Sequence, residues 1–402
     1  MAFTVTTARD TLHVSLAAGA LTLSFGGLEN YSFDGEGRPV GMWRGGITYR
    51  RALDNRVLCK WLDAEQGGRQ RRFLETDERR ALLDATLLRA ANAQTLLAQM
   101  QTTTEISIAR GWLDEVLGWS WPRLEAEAAR FAAVYKPVPI LPPDQYLSLV
   151  IQATEGCSYN DCSFCTFYRD RPFRIKTLDA LAAHIEGVQH FAGRGINLRR
   201  SIFLADANAV IIAQDKLLPM LEMINARLPV GPGALNGIYA FISAPDALHK
   251  QPADFAALKA RNLRRLYVGL ESGHDPLRRF LRKPGEAADV AAAVASIKEG
   301  GLAVGLIVMV GIGGAQFRDA HLRDTVALIE RLPLDAGDLV YLSPFVSDGS
   351  TRYDMDMQAA AIAPLDGEAM CFEEQRCKLA LQAVAKRTGL RVSHYDLREF
   401  VY

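Results

Sequence analysis

The chain has 402 residues, 49% hydrophobic and 8% aromatic, enough to bury more than one domain-sized core and too apolar for a disordered protein. Its 46 basic and 46 acidic residues cancel, so composition gives no push toward nucleic acid or anionic lipid. Six cysteines are too sparse for a secreted disulfide scaffold, the first ten residues lack the basic and apolar regions of a secretory signal, and no apolar run approaches the ~20 residues of a membrane span. A reducing, cytoplasmic setting is expected.

Residues 1–143 read as an N-terminal α+β cap. Leu12–Leu16 and Ala20–Phe25 alternate as short strands around an Ala17-Ala18-Gly19 turn, and Asp34-Gly35 and Gly45-Gly46 are further turn signals. Arg69, Arg71, Arg72, Arg79 and Arg80 form a basic run, read as a solvated helix face and loop. Leu83, Leu87, Ala90 and Leu97 share one face of a helix expected over 77–100, and Pro122 opens another to Val134. Trp112, Trp119 and Trp121 suit either core packing or a pocket wall. The proline-rich stretch Pro137–Pro143 is a stiff connector.

From 144 to 350 the pattern changes to apolar runs separated by helical stretches. Six strands are expected at 147–153, 201–205, 238–243, 265–270, 303–310 and 338–342, with helices near 178–191, 216–226, 252–261, 287–300 and 319–331. This repeat predicts a partial (β/α)6 parallel barrel with function at the C-terminal strand ends. Residues 351–402 read as a helical extension centred on 373–388.

Directly after the first barrel strand come Cys157, Cys162 and Cys165, a C-x4-C-x2-C cluster with Gly156 before it to turn the chain. Three thiolates in one short loop point to a metal group. Phe164 precedes the last cysteine. Later strands end in Leu204-Ala-Asp-Ala-Asn-Ala209, Tyr267-Val-Gly-Leu-Glu-Ser-Gly273, Ile307-Val-Met-Val-Gly-Ile-Gly-Gly314 and Tyr341-Leu-Ser-Pro-Phe345.

Over roughly 145–350 these segments resemble the radical S-adenosylmethionine (SAM) enzymes, in particular the branch related to oxygen-independent coproporphyrinogen oxidases. The first cysteine gap is one residue longer than the usual C-x3-C-x2-C, and the usual Gly-Gly-Glu-like segment is replaced by Asp206 and Asn208. The resemblance implies that Cys157, Cys162 and Cys165 hold a [4Fe–4S] cluster whose fourth iron chelates SAM. It also implies SAM contacts from Phe164, Tyr168, Asp206, Asn208, Ser243, Glu271, Ser272, Gly273, Gly311 and Gly313, with Arg169 a further candidate. The implied activity is reductive cleavage of SAM to start radical chemistry on a small molecule. Group transfer of methyl or the aminocarboxypropyl arm is the alternative, and the implied partner is an external electron donor such as flavodoxin or ferredoxin.

Other readings stay open at this stage. The spacing also opens plant-type [2Fe–2S] ferredoxins, whose fourth ligand would be the distant Cys371, giving a non-catalytic electron carrier. A structural zinc site would use His184 as fourth ligand. Cys371 and Cys377 could bind an auxiliary cluster, but like Cys59 they read as small buried or incidental thiols. Asp319-Ala-His321 partly matches a cobalamin-binding motif but lacks its glycine, so cobalamin is not expected.

Overall fold

The computed structural model describes every residue except 7–10, 18, 64–67, 232 and 348. Ala18 of the expected hairpin turn therefore lies outside the described residues. The chain forms two compact units: Met1–Pro139 with Glu186–Arg200 and Glu399–Tyr402, and Ile140–Ile185 with Ser201–Arg398.

The first unit is an eight-stranded antiparallel sheet in which each strand pairs with the next. Its strands are β1 (Ala2–Thr6), β2 (Thr11–Ala17), β3 (Ala20–Phe25), β4 (Glu29–Asp34), β5 (Pro39–Arg44), β6 (Ile47–Arg51), β7 (Val57–Asp63) and β8 (Gly68–Phe73). Helices α1 (Thr76–Ala98), α2 (Thr104–Leu117) and α3 (Trp121–Val134) follow. Alternate residues such as Leu12 and Val14 of β2 and Leu21, Leu23 and Phe25 of β3 point to one face, which is how a period of two builds a half-buried sheet. That face joins Ala90, Ala93 and Leu97 of α1 and Ile106, Leu113 and Val116 of α2 in one core.

Among the described residues of this unit, four charged side chains are buried. Arg38 donates to Glu127 Oε1 at 2.5 Å, to Asp34 Oδ2 at 3.0 Å and to the Phe191 carbonyl at 2.6 Å, while Arg51 lies 3.8 Å from Glu127 Oε2. The two cations and two anions balance, so none is left buried without a counter-charge.

The basic run departs from expectation. Arg69, Arg71 and Arg72 sit on β8, an edge strand exposed on both faces, and only Arg79 and Arg80 belong to helix α1. Charge on an edge strand discourages pairing with another sheet. Arg72 donates to both carboxylate oxygens of Glu78, and the guanidinium groups of Arg79 and Arg80 lie over the Trp121 ring. Trp119 is buried against Leu83 and Leu124 and donates to the Glu36 carbonyl at 2.8 Å, while Trp112 packs on the sheet core.

The second unit is a seven-stranded sheet, all parallel, ordered β17-β16-β15-β14-β13-β12-β9. Strand β9 (Ser148–Gln152) leads into a two-residue ladder of β10 (Thr154–Glu155) with β11 (Arg174–Ile175), and then α4 (Leu178–Ala192). The repeat continues through β12 (Ser201–Ala205), α5 (Gln214–Arg227), β13 (Ile238–Ile242), α6 (Ala244–Ala247), α7 (Pro252–Lys259), β14 (Leu263–Glu271), α8 (Asp275–Phe280) and α9 (Ala287–Glu299). It ends with β15 (Ala303–Val310), α10 (Gly314–Arg331), β16 (Leu339–Pro344), α11 (Arg352–Ala359), α12 (Gly367–Thr388) and β17 (Arg391–His394).

All six expected strands form, as an open parallel sheet with the sequential order of a partial barrel. Every residue of β9 and β12 is buried, as two-sided cover by helices requires. The seventh strand, β17, comes from the tail, which was read as helical. Its sequence Arg-Val-Ser-His is largely exposed at the sheet edge and carries no apolar run. No helix among the described residues is long and apolar enough to cross a membrane.

Candidate active site

A cavity of about 470 Å³ opens at the C-terminal ends of the parallel strands. Its size falls in the range of about 300–1,000 Å³ typical of small-molecule sites, and its lining is predominantly apolar. Cys157, Cys162 and Cys165 form one wall, with Phe164 and Tyr168 beside them. The strand ends contribute Asn208, Ser243, Gly269, Glu271, Ile307 and Met309, and the tail contributes Phe345, Tyr395, Leu397 and Arg398.

The cysteine loop is fixed at several points. The β10–β11 ladder closes its root, pairing Thr154 with Ile175 and Glu155 with Arg174. Gly156 turns the chain with φ of +77°, and a Cβ there would press on the Pro172 carbonyl at 3.0 Å, so this position requires glycine. Ser163 donates its N–H to the Leu281 carbonyl and accepts from Tyr353, which ties the loop to α8 and α11. Arg169 caps the loop by donating to the carbonyls of Cys162 and Cys165 at 3.0 and 3.2 Å.

Asp206 is the buried pin of this arrangement. Its Oδ2 accepts from the Gly156 N–H at 2.9 Å and lies 3.3 Å from Arg171, and its Oδ1 accepts from Gln152 at 2.8 Å. Burial raises its pKa, and these donors only partly offset that. Asn208 bridges outward, donating to Ser158 Oγ at 3.0 Å and to Asp246 at 2.5 Å while its Oδ1 accepts from the Ser243 N–H.

Of the ten residues implied as SAM contacts, five do not line the cavity, and neither does Arg169. Asp206 faces the cysteine-loop backbone. Ser272 is fully buried and shares a hydrogen bond of 2.8 Å with His321 Nδ1 on α10, and Gly273 donates to Thr325 Oγ1 at 2.8 Å on the same helix. Gly311 abuts Met370 of α12, and Gly313 abuts Leu277 and donates to the Tyr353 hydroxyl at 2.7 Å. These groups brace strand ends against helices. The side chains from β15 that reach the cavity are Ile307 and Met309.

Glu271 does line it. It is the last residue of β14, paired with Val308 of β15 after a register shift from Gly269, with φ of +58°, and accepts from Lys283 Nζ at 2.8 Å. Lys283 carries no motif signal in the sequence; only the turn after α8 places it here. Burial works to lower the Lys283 pKa, but Glu271 and then Cys162 outweigh it and the value is raised.

The donor set fits a cluster. Among the described residues, no three His, Cys, Asp or Glu gather tightly enough to hold a single metal ion. A cubane presents a separate iron to each thiolate, so its cysteines need not converge on one point as zinc ligands must. Burial pushes the Cys162 thiol up to about 11 and raises Cys165, so in this apolar wall only a bound cation would hold them as thiolates. His184 is no fourth ligand: it is buried in α4, and its Nε2 accepts from the Gln152 N–H at 3.0 Å. Cys371 is exposed and Cys377 buried on α12, Cys59 lies on β7, and none of the three lines the cavity.

A parallel β/α sheet that turns three thiols into a cavity at its strand ends is the frame of a cofactor enzyme of the barrel class. Residues 151–328 match the model of the Radical SAM superfamily. Proteins of this superfamily are enzymes that cleave SAM at a [4Fe–4S] cluster. Among solved structures, coproporphyrinogen III oxidase (HemN) from Escherichia coli is 13% identical, covering 63% of this chain and 55% of its own with a TM-score of 0.43. The cobalamin-dependent SAM radical enzyme OxsB with aqua-cobalamin and SAM bound is 12% identical, covering 75% and 35%, with a TM-score of 0.37. HydG, a maturase of the [FeFe]-hydrogenase, is 13% identical, covering 79% and 72%, with a TM-score of 0.39. The chain thus spans about a third of OxsB and about half of HemN. A comparison with curated proteins finds no match.

Proposed function

We propose that this protein is an enzyme that holds a [4Fe–4S] cluster on Cys157, Cys162 and Cys165 and cleaves SAM reductively to begin radical chemistry on a small molecule. The observation that carries this reading is the shared cavity: three thiols on one wall face Asn208, Ser243, Glu271 and Met309 at the ends of successive strands. When bound, the cluster supplies the electron that splits a carbon–sulfur bond of SAM, yielding methionine and a 5′-deoxyadenosyl radical.

The chain's own residues position and protect. Phe164, Ile307 and Met309 offer apolar surface for a flat base, and Asn208, Ser243 and Glu271 offer the polar atoms that read an amino acid or ribose. The apolar lining keeps water from a reactive radical. The substrate enters the same cavity, against the wall built by the tail. An external low-potential electron donor is the partner, with no part for nucleic acid. Six free cysteines fit a cytoplasmic, reducing setting.

Anaerobic reconstitution followed by iron and sulfide analysis, with product analysis of SAM under reductant, tests this. The expected products are 5′-deoxyadenosine and methionine, lost in Cys157→Ala, Cys162→Ala and Cys165→Ala. Zinc without iron, or 5′-deoxyadenosine formation that survives the cysteine variants, overturns the reading. Methylthioadenosine as the product would assign the aminocarboxypropyl-transfer alternative.

A further inference from the structure

A buried clamp delivers a lysine to the cysteine wall. Arg278 of α8 is 1% exposed; the hydrogen bonds of its guanidinium go to backbone carbonyls, and Asp275 lies 3.9 Å from its Nε. It donates to the carbonyls of Leu270 at 2.5 Å and Ser272 at 3.3 Å, then to Pro284 at 3.1 Å and Gly285 at 2.9 Å. The first two carbonyls flank Glu271; the last two follow Lys283. Five donors in a rigid fork thus tie the end of β14 to the turn after α8. This sets Lys283 Nζ 2.8 Å from Glu271 Oε1, with the lysine 16% and the glutamate 9% exposed along their side chains. Gly269 leaves room for the pair, since a Cβ there would stand 2.7 Å from Nζ.

Such a pair, desolvated and net neutral, is a dipole, and its effect on a neighbour depends on which end is nearer. Both members line the cavity with the three cysteines. A cation beside the thiols favours added negative charge on whatever they hold and an anion opposes it, so the two members act with opposite sign.

Resting on the cluster reading above, we propose that the Lys283–Glu271 pair sets the reduction potential of the cluster, Lys283 raising it and Glu271 tempering that effect, with Arg278 as the positioning residue. Reduction adds one electron from an external low-potential donor and breaks no bond. The cluster gains one negative charge, which a fixed cation nearby stabilises, because ligation, net charge and surroundings set such potentials.

The test is an anaerobic potentiometric titration with dithionite, followed by electron paramagnetic resonance and performed without SAM on the full-length reconstituted protein. Lys283→Met is expected to disfavour the reduced cluster tenfold or more, a downward shift of about 59 mV or greater for one electron. Glu271→Gln is expected to shift the potential upward, and Lys283→Arg to stay near wild type. Opposite signs separate electrostatic control from a structural role, which would move both variants alike. Should Lys283→Met fail to retain iron, the upward shift in Glu271→Gln alone supports the proposal, and its absence overturns it. Equal potentials, or shifts of one sign, in a wild-type protein that holds its cluster overturn the proposal and leave the cluster reading standing. A wild-type protein that assembles no cluster overturns both.

Discussion

The two sheets of this protein solve burial differently. The antiparallel sheet of the first unit shows one face to helices α1 and α2, so its strands alternate, and charge enters it as a balanced group around Arg38, Arg51, Asp34 and Glu127. The parallel sheet of the second unit is covered on both faces, so β9, β12 and β15 are nearly unbroken apolar runs. Its buried polar groups are spread through the unit: Asn208 and Glu271 line the cavity, Gln152, Asp206 and Ser272 brace strand ends behind it, and Ser148, Ser201 and Asp338 lie at strand starts. A buried carboxylate holds counter-charges together in one unit and, at Asp206, the cysteine loop in the other.

Removing one carboxylate from each unit breaks that comparison most sharply. Glu127→Ala leaves Arg38 and Arg51 buried with a single counter-charge and is expected to cost about 3–5 kcal/mol in denaturant unfolding, with iron content per folded protein unchanged. Asp206→Ala takes the buried acceptor from the Gly156 N–H and removes one of the two carboxylates beside Arg171, Asp170 being the other, and is expected to cost a similar amount while also lowering iron retention, measured by metal analysis after gel filtration. If Asp206→Ala holds iron as wild type does, Asp206 is not the pin of the cysteine loop.

A smaller effect follows from His321, 3% exposed beneath Ser272, whose pKa burial pushes down to about 4. An unfolded imidazole takes its proton near 6.5, whereas the folded one resists until about 4. The contribution is therefore complete above pH 6.5 and is lost as pH falls through this window, amounting to about 3 kcal/mol at its lower end. Stability of His321→Asn measured between pH 7 and 4 should fall less steeply than that of wild type. An unchanged slope would refute the assignment.

The smallest effect is at the α2 N-terminus, where Thr103 Oγ1 accepts from the Ile106 N–H at 3.3 Å. Thr103→Ala should cost about 1 kcal/mol in the first unit and leave SAM cleavage unchanged. A change in SAM cleavage would contradict the placement of the site wholly within the second unit.

Legibility in the sequence followed burial. All six strands of the parallel repeat and its longer helices were readable, because two-sided cover demands long apolar runs, whereas the short α6 and α8 were not expected. In the first unit only β2, β3, α1 and α3 stood out. Strands such as β6 (Ile-Thr-Tyr-Arg-Arg) and β8 (Gly-Arg-Gln-Arg-Arg-Phe) carry charge at an edge or in a buried ion group, which erases alternation. Helix α2 has its face at Ile106, Ala109, Leu113 and Val116, yet Gly111 and two capping-type threonines at its start weaken that signal. Among the residues that line the cavity, the cysteines, Phe164, Tyr168, Asn208, Ser243 and Glu271 had been singled out in the sequence. Lys283, Arg278 and the tail wall of Tyr395 and Arg398 were not.

The sequence alone determined the parallel repeat and the three-cysteine loop after its first strand, because periodicity and residue spacing are local properties of the chain; the class of chemistry rested on the resemblance of the strand-end segments to a known family. Only the tertiary structure decided which strand-end residues face the cavity and which brace it. A glycine, serine or aspartate at a strand end has the same local signature in either role. What separates them is the partner supplied from far along the chain: α10 behind Ser272 and Gly273, α12 behind Gly311, the cysteine loop behind Asp206, and Lys283 in front of Glu271.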